Sequence, residues 1–188
     1  MTSQVQLLSV FQEFCKAEKW YFYPIGSASF VTYVNGQTSK WETMCTIKET
    51  QIAIVSELPF VVPPENHLTV LEFLMWANCQ QPLGNFELDL QQRDIRFKTS
   101  IEVADGVLTT KMLAALLYSN LHTVNLYIMG LQQILFAGKT LAEAARFLCE
   151  PARTEEEDAQ SLREMFDDPD LANLLGDAHD QKEKGVGD

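Results

Sequence analysis

Apolar residues recur along this chain with two different periods, and the switches between them mark out the elements. Val5, Leu8, Phe11, Phe14 and Cys15 return at helical spacing, which predicts an amphipathic helix over residues 3–17. The aromatic run at 20–23 then leads into extended chain. Phe30 to Val34, followed by Asn35-Gly36, reads as a strand entering a hairpin. A strand follows with Trp41, Thr43, Cys45 and Ile47 on one face and Lys40, Glu42, Thr46 and Lys48 on the other. Another places Ile52, Ile54, Ser56, Leu58 and Phe60 against Ala53, Val55 and Glu57, completing an antiparallel meander with one face to cover.

Pro63-Pro64 ends the meander, and Asn66 is placed to cap a helix over residues 67–79. That helix is apolar around most of its circumference, so it is expected to lie against the sheet. Gly84 opens a second hairpin. Phe86, Leu88 and Leu90 alternate with Glu87 and Asp89, and Ile95, Phe97, Thr99, Ile101 and Val103 alternate with Arg96, Lys98, Ser100 and Glu102. A long helix over about 109–136 carries Leu113, Leu116, Leu117, Val124, Ile128, Leu131 and Leu135 along one face, and Gly138 stops it. Thr140-Leu-Ala-Glu143 has the capping-box pattern and starts a short helix to about residue 149. The class is α+β: an antiparallel sheet of a meander plus a hairpin, packed against helices.

Charge divides the chain. Its 188 residues carry 14 basic and 26 acidic side chains, a net of −12. Residues 1–150 hold 10 basic and 14 acidic, and residues 151–188 hold 4 basic and 12 acidic. The expected organisation is a domain over 1–150 and an acidic tail over 151–188 that lacks the apolar surface to offset ordering. Within the tail, Asp170 can cap a short helix near 170–176 that presents Leu171, Leu174 and Leu175. Phosphate-binding affinity comes from Lys and Arg, so a nucleic-acid partner is not expected, nor is an anionic membrane surface.

The N-terminal stretch lacks the basic and uninterrupted apolar regions of a signal peptide, so a cytoplasmic location is expected. Cys15, Cys45, Cys79 and Cys149 form no CxxC pair and are expected to be reduced core residues. Neither they nor His67, His122 and His179 have metal-ligand spacing, so no metal or other cofactor is expected. Met112 to Gly138 carries no Asp, Glu, Lys or Arg and is long enough to span a bilayer. Its Ser119, Asn120, His122, Thr123, Asn125, Gln132 and Gln133 are costly in lipid, which favours a helix outside the membrane.

No GxSxG, GxxxxGK[ST], GxGxxG, HExxH or EF-hand loop is present, and an enzyme is not expected. Glu87 and Asp89 share a strand face about 7 Å apart, with Arg96 and Lys98 opposite. They could serve a small-ligand regulator or an unrecognised enzyme built on Glu87, Asp89 and Arg96, or form an ordinary solvent face. The informative feature is surplus apolar surface on the long uncharged helix, whose polar positions are amides and hydroxyls of the kind found in protein interfaces. The partner-binding residues proposed on this basis are Leu116, Leu117, His122, Tyr127, Ile128 and Leu131, joined by Phe166, Leu171 and Leu175 of the tail. The partner would be another protein or a second copy of the chain.

The helix-first meander, PFVVPPENHLTVLEFLMWAN and LGNFELDLQQRDIRFKTSIEV carry a resemblance. Gly84-Asn85-Phe86-Glu87 followed by Asp94-Ile95-Arg96-Phe97 is its most specific part. The chain resembles the YbjN-like family, in particular its cyanobacterial branch of unknown function, over roughly residues 3–150. The resemblance implies a fold similar to class I type III secretion chaperones, small acidic dimers that hold extended client segments. It also implies a loose association with stress response and regulation, and no catalytic residues. The expected role is a non-enzymatic chaperone-like or adaptor protein.

Overall fold

A computed structural model describes residues 3–104 and 106–149. The elements run α1 (Gln4–Glu18), β1 (Tyr23–Pro24), β2 (Ser29–Asn35), β3 (Lys40–Lys48), β4 (Gln51–Val61), α2 (His67–Gln80), β5 (Asn85–Leu88), β6 (Asp94–Glu102), α3 (Thr110–Ala137) and α4 (Leu141–Cys149). The strands form one antiparallel sheet in the order β1-β2-β3-β4-β6-β5. The tail over 151–188, with its short helix and with Phe166, Leu171 and Leu175, lies outside the described residues.

Alternation along the strands decides what is buried. Trp41, Thr43, Cys45 and Ile47 of β3 point inward, as do Ile52, Ile54, Ser56, Leu58 and Phe60 of β4 and Ile95, Phe97 and Thr99 of β6. The helices cover this face, and each fully buried Leu, Ile or Phe there contributes about 1.5–3 kcal/mol. α1 lays Leu7, Phe11 and Phe14 on it, with the Phe11 and Phe30 rings 4.9 Å apart. Val5 was expected on that stripe but projects from the first turn into solvent, because Leu7 occupies the inward position one turn before Phe11.

Three local expectations give way to tertiary context. Asn66 does not cap α2: its backbone is helical and its side chain makes no capping bond. Instead a 3₁₀ turn over Pro64–Asn66, primed by the fixed φ of the two prolines, feeds the chain into the helix. Leu90 does not continue β5, since Asp89 Oδ1 accepts from the Gln91 and Gln92 amides at 2.8 and 3.0 Å and turns the chain there. The hairpin after Asn35 is longer than a two-residue turn, closing through Gly36 N–H to the Ser39 carbonyl at 2.8 Å. A side chain at Gly36 would collide with the Trp41 ring and stand 2.9 Å from Asn125 Oδ1, so this glycine serves close packing.

Candidate protein-docking surfaces

α3 is the element that the sequence singled out, and the sheet uses it up. Leu116, Leu117, Tyr127, Ile128 and Leu131 are all buried in the core, so as the chain stands they are out of a partner's reach; His122 alone of the six is exposed. The physical reason is that a sheet face this broad needs one long apolar helix to close it.

Several polar side chains of α3 have internal partners as well. Asn120 is fully buried, donating through Nδ2 to the carbonyls of Ile54 and Phe97, each at 3.1 Å. Its Oδ1 accepts from Ser56 Oγ at 2.6 Å, and Ser56 in turn pairs with Thr43 Oγ1 at 2.7 Å. Thr99 Oγ1 donates to the Leu116 carbonyl at 3.0 Å. Asn125 Oδ1 accepts from the Gln37 amide, and Gln132 Nε2 donates to Ser39 Oγ, tying the β2–β3 hairpin to the helix. Gln81, just past α2, accepts from Thr123 Oγ1 and donates to the Tyr127 hydroxyl. Buried polar groups without such partners cost about 1–3 kcal/mol each, so these bonds fix how α3 sits on the sheet.

Tyr127 joins three elements. Its ring lies 5.6 Å from Phe86, 5.9 Å from Trp76 and 6.2 Å from Phe73, and burial pushes its hydroxyl pKa up. Asn78 of α2 holds the edge strand β5 by its backbone, donating to the Phe86 carbonyl at 3.1 Å and accepting its amide at 2.6 Å. This side chain occupies hydrogen-bonding positions that another strand would use.

The charged trio Glu87, Asp89 and Arg96 is tied up in structure. The turn amides of Gln92 and Gln91 hold the Asp89 carboxyl below its ordinary pKa, with Arg96 a weaker influence at 3.8 Å. Arg96 Nη2 donates to Asp94 Oδ2 at 2.8 Å, which chiefly raises the guanidinium pKa, and Glu87 faces Lys98 at 3.8 Å.

The cysteines divide differently from expectation. All four are free thiols, but Cys79 and Cys149 are exposed, while Cys45 is buried and Cys15 half-buried. Burial pushes the Cys15 thiol up to about 12 and raises Cys45 further. Cys79 is outside because it falls on the outward face of α2.

That face was missed. Val70, Phe73, Leu74 and Ala77 of α2 are buried against α3, β5 and α4, yet Leu68, Leu71 and Met75 stand on the opposite side. Leu68 is 69% and Met75 68% exposed. The spacing 68-71-75-79 makes one continuous stripe along the helix. The sequence signal was present as an apolar circumference, which names no face as inner or outer.

A second open surface is the back of the sheet. There the register aligns Val31, Met44, Val55 and Lys98 across β2, β3, β4 and β6, with Val31 buried and Met44 and Val55 half-buried. One row along, Tyr33, Glu42, Glu57, Arg96 and Glu87 align across five strands.

Among the described residues no helix is long and apolar enough to cross a membrane, and no group of three or more potential metal-ligating side chains occurs. No protein-family profile and no curated protein matches the chain. Among solved structures the chain is similar to the crystal structure of YbjN, a proposed transcription regulator from E. coli. The two are 14% identical over 63% of this chain and 85% of that one, with a TM-score of 0.49.

Proposed function

We propose that the protein is a non-enzymatic, chaperone-like adaptor that binds another protein through the outward stripe of α2. One observation carries the reading: Leu68, Leu71 and Met75 project from a helix whose opposite face is locked into the core. Apolar side chains at i, i+3 and i+7 on a fixed helix suit an apolar helix or an extended apolar segment of a partner. Among the described residues nothing covers them, since Val70, Phe73, Leu74 and Ala77 already fill the inner side. Membership of the YbjN-like family, the likeness to secretion chaperones, a role in stress response or regulation and a cytoplasmic location belong to the same proposal. The first three rest on the sequence phrases around Gly84–Glu87 and Asp94–Phe97, and the location on the absence of signal-peptide features in the N-terminal stretch.

The test is affinity capture by the full chain, compared with a Leu68→Gln, Met75→Gln variant. Gln removes the apolar surface while keeping helix propensity nearly unchanged. A stoichiometric protein held by the parent chain and lost from the variant, with both chains monomeric by light scattering, supports the adaptor reading. A dimer of the parent that the variant dissolves assigns the stripe to a second copy. A partner captured equally by both chains places the site elsewhere and overturns the assignment.

A further inference from the structure

The back of the sheet and the α2 stripe are separate surfaces, and the back carries a charge pattern of its own. Glu42 and Glu57 are Cα partners on β3 and β4, so two carboxylates stand side by side, about 5 Å apart between Cβ atoms. Neither has a cation within ion-pair distance among the described residues. Arg96, the Cα partner of Glu57 and the next residue in the row, is engaged by Asp94 at 2.8 Å and by Asp89 at 3.8 Å and also feels the charge of Glu57, which leaves Glu42 as the carboxylate with no cation beside it in the row. Like charges directly opposite each other work against strand pairing. Tyr33, at the end of the row, is 58% exposed. The neighbouring row runs Val31, Met44, Val55 and Lys98; Val31 is buried, so Met44 and Val55, both half-buried, are its reachable apolar side chains.

We infer that this face docks a basic segment of a partner protein, with Lys or Arg over Glu42 and Glu57 and an apolar side chain over Met44 and Val55. Charge complementarity selects that occupant. A second copy of the chain brings a net charge of −12, and residues 151–188 hold 12 acidic against 4 basic side chains, so the cations come from another protein. Phosphate backbones are repelled by the same row. The arrangement also sets a spacing. The two rows lie two residues apart along each strand, about 7 Å, which is the separation of side chains i and i+2 in an extended peptide. A segment running along the strands therefore needs a basic residue and an apolar residue on the same side, two positions apart. Arg fits better than Lys, because its planar guanidinium can also lie on the Tyr33 ring.

The probe is a pair of labelled peptides of one composition. In the first, Arg and Leu alternate at every second position with Ser between them; in the second, Arg occupies one side and Leu the other. Titration into the full chain, followed by amide chemical shifts, is expected to move Glu42, Met44, Val55 and Glu57 with the first peptide and to saturate at lower concentration than with the second. Glu42→Gln with Glu57→Gln is expected to weaken binding about tenfold, and Glu155→Gln with Glu156→Gln, an equal charge change in the tail, by less than about twofold. Glu42→Gln alone is also expected to raise the melting temperature, since it removes the like-charge pair while Glu57 keeps its Arg96 neighbour. Equal losses in the two double variants, equal binding of the two peptides, or no shifts on the sheet at millimolar peptide would overturn the proposal. Each of those results leaves the α2 stripe untouched.

Discussion

α2 and α3 are both apolar, both poor in charge and packed against each other, yet they stand in opposite relations to the rest of the molecule. α3 is consumed from within: its apolar face closes the sheet, and Asn120, Thr123, Asn125 and Gln132 bond to strands and loops of the same chain. α2 is embedded on one side only, and Leu68, Leu71 and Met75 remain outside. The absence of charge on a helix therefore does not mark a docking surface. The docking proposed for α2 rests instead on apolar side chains left over after the core is filled.

The sharpest way to break this comparison is at Asn120. In Asn120→Asp a carboxylate oxygen would face the Ile54 and Phe97 carbonyls in a fully buried site, and a loss of about 4 kcal/mol or more in urea unfolding at pH 7 is expected. A loss below about 1 kcal/mol would mean that α3 does not depend on this contact. Next comes Gly130, where α3 meets its neighbours. A Cβ there would stand 2.6 Å from the Phe73 ring of α2 and 2.9 Å from Leu148 of α4, so Gly130→Ala is expected to cost about 1–3 kcal/mol. The thermal midpoint would show it.

Thiol labelling compares the two sides of the packing directly. Cys79, on the outward face of α2, is expected to react with a maleimide in the native protein. Cys45, buried with its pKa raised, is expected to react only on unfolding. Mass spectrometry of the labelled peptides reads both sites at once. The smallest effect is expected at α4. Thr140 and Glu143 bond reciprocally, and the Thr140 amide, the Thr140 hydroxyl and Lys139 hold the Glu143 carboxyl down to about 2. A depressed carboxyl stabilises the fold above its ordinary value of 4.5 and loses that contribution as pH falls toward about 2. Helical carbon shifts of Leu141–Ala144 should therefore hold from neutral pH to about 5 and decline below it.

Much of this fold is legible in the residues because periods of two and of about 3.6 are written plainly in it. β3, β4 and β6 follow their alternation, and α3 and α4 end where Gly138 and begin where Thr140 indicate. The surfaces were far less legible. An apolar face such as Leu116–Leu131 reads the same whether it meets its own sheet or a stranger, and only the breadth of the sheet decides. α2, apolar on every side, offers no period from which to tell inside from outside. The row from Tyr33 to Glu87 depends on β4 pairing with β6 across α2 and β5, a register that no local pattern encodes. Phe166, Leu171 and Leu175 stand outside the described residues.

The central claim is that the outward stripe of α2 is spare, contributing nothing to the fold of the free chain. Urea unfolding of the full chain with Leu68→Gln and Met75→Gln tests it most directly. The account predicts a free energy within about 0.5 kcal/mol of the parent, as for substitutions on open surface. A loss of about 2 kcal/mol or more would place both side chains in a packed core and contradict it.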